Sequence, residues 1–451
     1  MRAPVAILCA LSLLGCDGAT SPGVRIELVD PAGENAALGI IEGTLSIELR
    51  QGDQLLCDEG CDAEIRGGEF ELTLPIQSLV ELTTIHGSMS GGDEPLQGVV
   101  PPFAVAGEGL ETAEVPVRLV MMPAARCEPL ELFNVSTAGR PRLVEPRRDA
   151  VPVVRRNIVL LGGGTGVSGG SSRIDLFDQV VMEMRPPLES PAGPLGRTVG
   201  LALSENESLF VGDSAWIYVS QMGPPGATSI DVHAGADGTS ALVLVTGIAG
   251  IIGGTDTREI SWVTARGTAL PGGMLTVERS GAVAATGSRD GALVVGGAPG
   301  GEWISPANAP IALTDPLPDA SGGWLVVSPS GQSYLWVGAT GSDTHLITEC
   351  PGACNVSAGP TWDRARDGAA GTSTAAGAFW IVGGEGSDLV DIVRWDGERP
   401  SFDVGPTLSS VRAGASVVEH ASGVILVMGG QQGSDFLDTV ELCSPVGLDA
   451  L

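Results

Sequence analysis

Leu426-Val427-Met428-Gly429-Gly430 decides how this chain is read. A short apolar run that stops at paired glycines is a fully buried strand: it is too short for a helix, and the glycines mark a turn. An apolar strand running into glycine occurs seven times. The other copies are Ile158-Val159-Leu160-Leu161-Gly162, Leu209-Phe210-Val211-Gly212, Leu244-Val245-Thr246-Gly247, Leu293-Val294-Val295-Gly296, Leu335-Trp336-Val337-Gly338 and Trp380-Ile381-Val382-Gly383. Their glycines recur at intervals of 50, 35, 49, 42, 45 and 46 residues. A period in the low-to-mid forties with several strands per unit is the mark of a β-propeller, and seven units fill the stretch from 130 to 444.

Strands flank each glycine. Before it, five units open on arginine: Arg148-Asp149-Ala150-Val151, Arg197-Thr198-Val199-Gly200, Arg279-Ser280-Gly281-Ala282, Arg366-Asp367-Gly368-Ala369 and Arg412-Ala413-Gly414-Ala415. After it comes a third strand, as in Arg173-Ile174-Asp175-Leu176-Phe177, Asp388-Leu389-Val390-Asp391-Ile392 and Asp438-Thr439-Val440-Glu441-Leu442. This arrangement resembles the kelch family of propellers, whose repeat pairs an arginine-led inner strand with a second strand ending in a double glycine. Gly162-Gly163, Gly296-Gly297, Gly383-Gly384 and Gly429-Gly430 keep the pair; the other units keep one glycine, and the aromatic residues usual after the pair are missing.

The resemblance implies that the inner strands line a central channel and that Arg148, Arg197, Arg279, Arg366 and Arg412 ring one mouth. Two roles stand for that ring. Five converging guanidiniums on an acidic chain would clamp a carboxylate or phosphate ligand, or each would pair with an acid of an adjacent unit and hold the wheel together. A second cluster, Arg140, Arg142, Arg147, Arg148, Arg155 and Arg156, either docks the acidic N-terminal region or forms a solvated face.

The last unit ends at its third strand, beside Cys443. Leu130-Glu131-Leu132-Phe133-Asn134-Val135 has no unit of its own and would supply the missing outer strand. Cys127 would then lie next to Cys443, and a Cys127–Cys443 disulfide would close a loop worth roughly 5 kcal/mol in the entropic account. Cys57–Cys61 and Cys350–Cys354 straddle glycine-containing turns and read as local disulfides of an oxidising compartment. No histidine stands beside either pair, which argues against zinc.

Residues 24–125 alternate with period two in Val24–Leu28, Thr44–Leu49, Glu69–Leu74 and Val115–Val120. An antiparallel β-sandwich, immunoglobulin-like or similar, is expected there. Ahead of it, Met1-Arg2 and the apolar run 3–14 form a secretory signal too short to span a bilayer. The run ends Leu13-Leu14-Gly15-Cys16, which resembles the lipobox of bacterial lipoproteins. That resemblance implies a signal peptide over 1–15, lipid on Cys16, a linker over 16–23 and a protein exported to the bacterial cell envelope, anchored to membrane by its N-terminus.

Composition narrows function. The 451 residues hold 54 Asp+Glu against 24 Lys+Arg, a formal charge of −30, and every cation is arginine. That charge argues against nucleic acid, and the lack of lysine removes Schiff-base chemistry and the P-loop phosphate grip. In the propeller, His233, His345 and His420, with Tyr218 and Tyr334, fall in different units, unlike the paired ligands of kelch-type copper radical oxidases. The eight tryptophans fall mostly on strands and are expected to pack between sheets. No nucleophile elbow, zinc-protease helix or calcium loop is present. The expectation is an all-β chain with a seven-bladed kelch-like propeller over 127–446. Its role would be non-catalytic, without cofactor or metal: recognition of a protein or envelope glycan through one propeller face. The alternative is a degenerate propeller hydrolase or lyase acting on envelope polysaccharide.

Overall fold

The computed structural model describes only strand segments of residues 1–120, mostly as backbone. Beyond these it describes 121–130 and 141–445 apart from 192, 197, 213–215, 221–225, 230–240, 246, 255–256, 271, 289, 314–321, 340–342, 349, 351–353, 365 and 421–422. Cys16, Cys57, Cys61, Arg140, Arg197 and His233 lie outside the described residues.

From Val151 onward the chain forms successive four-stranded antiparallel sheets, seven among the described residues. The first is Val151–Arg155, Ile158–Gly162, Arg173–Asp178 and Glu183–Glu189; the sixth is Ala370–Ser373, Phe379–Val382, Val390–Asp396 and Arg399–Val404. The inner strand of the seventh, Ser416–Glu419, lies beside Val151–Arg155, so the sheets return on themselves as a ring. We call the upper rim the end at which inner strands begin and second strands finish.

The second strands explain the sequence pattern. Each lies between two neighbouring sheets, so both faces are buried and the strand is apolar throughout rather than alternating. In the seventh sheet, Leu426 and Met428 pack with Val159, Leu161 and Phe177 of the first sheet. Ile425 and Val427, on the opposite face, pack with Trp380 and Val382 of the sixth. All four of these side chains are fully buried, each worth about 1.5–3 kcal/mol of transfer.

Closure uses a different segment from the one expected. The fourth strand of the seventh sheet is Cys127–Pro129, antiparallel to Val440–Cys443, whereas 131–135 lie outside the described residues. Cys127 and Cys443 are direct cross-strand partners and are disulfide-bonded, with Cα atoms 4.0 Å apart and a sequence separation of 316. Cys350 and Cys354 are also bonded.

The third unit also differs. Ala241–Val245, assigned above as a second strand, is the inner one; the second strand is Ile248–Gly254, ending Gly253-Gly254. Gly247 occupies the turn between them with φ +78°. The two apolar runs are adjacent and alike, and only strand pairing distinguishes them.

Upstream, backbone strands form two sheets. One is Glu71–Pro75, Gly23–Val29 and Val115–Val120; the other contains Glu42–Gln51, Leu82–Ser90 and Leu96–Ala104. Gly23–Val29 runs parallel to Val115–Val120, so the region is not purely antiparallel. Its end is fixed to the ring from below. Buried Arg118 donates to the carbonyl of Val181 and pairs with Glu183 at 2.8 Å, and its amide donates to Val180.

Candidate functional site at the upper rim

Four residues ahead of the inner strand, Arg279, Arg366 and Arg412 turn into their own sheets instead of toward the channel; each is at most 8% exposed. Arg279 meets Glu302 at 3.0 Å, Arg366 meets Asp391 at 2.6 Å, and Arg412 meets Glu441 at 2.7 Å. Each guanidinium also donates to the carbonyl of the first glycine of the double-glycine turn: Gly296, Gly383 and Gly429. The acids stand on the third strand, opposite Val294, Ile381 and Val427, two residues ahead of that glycine. The carboxylate further fastens the incoming connector. Glu302 accepts the amide of Thr276 and Glu441 that of Ser409, while Asp391 accepts the indole N–H of Trp362.

The arginine ring is therefore corrected: at these three positions the groups are structural pins, and the pairing lies within one sheet rather than across to the next. At the level of the pins the sheets are joined by backbone, the amides of Gly384 and Gly430 donating to the carbonyls of Arg412 and Arg147.

In the first sheet the pin is Arg147, 2.7 Å from Asp175, with both side chains fully buried. Arg148 is half exposed and touches Asp149 at 3.3 Å. The left-handed glycines of this sheet are Gly163 and Gly164, so its pin stands one residue before Arg148 and its glycine pair one residue after Gly162-Gly163. The signal that locates Arg147 is a buried anchor four residues before each pin: Leu143, Leu275, Trp362 and Leu408. Burial pushes the Asp175 carboxyl above its usual range, with Arg147 opposing. The remaining sheets carry no acid at the equivalent place: the residues there are Ile217, Ser261 and His345. In the fifth, the Trp336 ring lies 5.6 Å from His345 and reaches over Gly338.

Two residues after each pin the backbone turns left-handed, at Asp149, Gly281, Gly368 and Gly414 (φ +57°, +74°, +67° and +60°). These turns are laced together around the mouth: Gly414 donates to Gly368 at 2.6 Å, and Asp149 donates to Gly414 at 2.7 Å. Positive φ is where glycine has no Cβ penalty, and Asp149 is the exception. The second arginine cluster also resolves into staples. Arg142 pairs with Asp438 of the seventh sheet, and Arg156 with Glu205 of the second. Arg155 donates to the carbonyl of Asn206. Arg142 and Arg156 make these contacts from the surface, while Arg147 and Arg155 are buried.

His345 lies toward the upper rim, whereas His420 is buried at the lower end, within 2.9 Å of the Gln179 carbonyl, so the two share no site. Tyr334 is buried in the fifth sheet, and the Tyr218 side chain lies outside the described residues. Trp262, Trp303, Trp336, Trp362 and Trp380 are all buried in the packing between sheets. Among the described residues no three His, Cys, Asp or Glu side chains converge as a metal site would require.

No protein-family model matches the sequence, and no curated protein matches it. Solved structures do. A streptogramin B lyase is similar at 14% identity and TM-score 0.51, over 67% of this chain and 95% of that one. A fungal alcohol oxidase of the AA5 family, in complex with copper, gives 16% and 0.53, over 69% and 77%. A catalytically inactive variant of virginiamycin B lyase from Staphylococcus aureus, with quinupristin, gives 13% and 0.51, over 71% and 99%. At these identities the likeness is one of fold: the chain is an all-β protein with a β-propeller.

Proposed function

We propose that this is a lipid-anchored cell-envelope protein in which an N-terminal β-sandwich carries a seven-bladed kelch-type propeller, and that the propeller recognises a protein or envelope glycan through its upper rim without catalysis. The carrying observation is the fate of the arginines. With Arg147, Arg279, Arg366 and Arg412 spent on buried carboxylates, the rim offers laced backbone turns and the exposed pair Arg148–Asp149. Such a surface suits recognition by shape and dispersed charge rather than an anion clamp. The double-glycine turns with their arginine pins support the kelch-type reading. The Leu13-Leu14-Gly15-Cys16 stretch supports lipidation at Cys16, and the Cys127–Cys443 bond suits an exported protein.

Two experiments test this. Cys16→Ser should move the full chain from the membrane to the soluble fraction of the envelope; unchanged sedimentation with membrane would refute the anchor. Envelope material captured by the full-length protein should be lost with Arg148→Ala plus Asp149→Ala. Release of products from envelope polysaccharide would instead establish the hydrolase or lyase alternative.

A further inference from the structure

The two faces of the ring are unequal. Of the eight large apolar side chains exposed among the described residues, Val144, Val167, Met274, Val277, Leu389 and Val404 lie on upper-rim connectors or at strand ends leading to them. Leu270 and Ile311 are on outer edges, and none is on the lower turns. Those lower turns carry exposed charges such as Arg156 and Glu205, and one of them is already occupied by Arg118 and its strand. Leu389 and Val404 come together at the upper end of the sixth sheet, where Val404 stands opposite Asp391 and Gly405 donates to Val390, and adjoining exposed apolar side chains mark a contact surface.

Over the sixth sheet that surface has a sign. Leu389, which follows Asp388, and Val404, 64% exposed, share this end of the sheet with Asp367 and Glu385. The backbone ties Glu385 to Asp367, its amide donating to the Asp367 carbonyl at 2.7 Å, and the Leu408 amide donates to the carbonyl of Asp388 at 2.8 Å. Among the described residues no salt bridge reaches any of these three acids, and Arg364 is drawn inward to Asp391 at 3.1 Å. Apolar side chains set among uncompensated acids fit a partner that carries both apolar side chains and positive charge.

Deepening the recognition reading above, on which it rests, we propose that the upper rim over the sixth sheet docks a cationic polypeptide segment bearing large apolar side chains. Leu389 and Val404 supply the contact area, and the three carboxylates select the sign and speed encounter. A glycan lacking positive charge would not be selected here.

The full-length protein is titrated with a labelled arginine–leucine peptide, the same peptide with glutamate for arginine, and neutral peptidoglycan fragments. The expected result is binding of the cationic peptide alone, weakened at least tenfold by Asp367→Asn/Glu385→Gln/Asp388→Asn. Leu389→Ser/Val404→Ser should weaken it similarly, and Glu205→Gln on the lower side should leave it unchanged. Equal binding of cationic and acidic peptides, or loss with Glu205→Gln only, would overturn the proposal. Absence of peptide binding while envelope capture still depends on Arg148 and Asp149 would refute this inference alone. Capture indifferent to every rim variant would refute the recognition reading itself.

Discussion

Arg412 and Glu441 are 29 residues apart in sequence and in contact inside the seventh sheet, with both side chains at most 2% exposed and Nη2 2.7 Å from Oε1. The same relationship, at the same height, recurs in the first, fourth and sixth sheets. A buried ion pair contributes little net stability over an apolar isostere, but removal of one partner strands a charge, at a cost of about 3–5 kcal/mol.

Arg412→Met and Arg279→Met should therefore each lower the unfolding free energy by about 3–5 kcal/mol, read as a shift in urea midpoint. Arg412→Met combined with Glu441→Leu should cost less than either alone. Arg147 has two guanidinium nitrogens without a partner among the described residues, and Arg147→Met should cost less than Arg412→Met. Arg148→Ala should change stability by less than about 0.5 kcal/mol. An Arg148 variant as damaging as Arg147→Met would contradict the register of the first sheet.

The seam is tested through its covalent bond. Non-reducing peptide mapping should pair Cys127 with Cys443, and Cys127→Ser should lower stability by about 2–5 kcal/mol. The other six four-stranded sheets should keep their exchange protection, while residues 416–443 lose theirs first.

Acid stability follows from His420. Burial holds its imidazole down at about 4, against the ordinary 6.5, so between these values the unfolded chain binds a proton that the folded one excludes. Stability thus falls as pH drops through that window, by on the order of 3 kcal/mol in full. His420→Gln should flatten this slope. The carboxyls of Glu419 and Asp175, raised by burial, act in the opposite sense, releasing stability as pH rises through their folded values, and should leave a small residual slope.

The mouth lacing predicts a gain. Asp149→Gly should stabilise the chain by up to about 1 kcal/mol by relieving a non-glycine φ of +57°. Gly368→Ala, at φ +67°, should cost a comparable amount.

Most of the wheel was legible because each second strand is buried on both faces, and only uninterrupted apolar runs satisfy that condition. The rest is hidden where the local pattern is degenerate. Leu244–Gly247 and Ile248–Gly254 are successive apolar runs, and Gly162-Gly163-Gly164 and Arg147-Arg148 each offer equivalent residues one position apart. With Gly163 and Gly253 as landmarks, the first three intervals become 49, 41 and 43, close to the others. The direction of the arginine side chains was not legible at all. It depends on an acid on the third strand whose spacing from the glycine varies, from Gly296 to Glu302 and from Gly429 to Glu441.

Hydroxyl-radical footprinting of the full-length protein, with and without its envelope fraction, tests recognition through the upper rim most directly. The account predicts protection of Leu389, Val404 and the connectors leading to the pinned arginines, with the lower turns at Arg156 and Glu205 unchanged. Protection confined to the lower turns, or no protection anywhere on the ring, would contradict it.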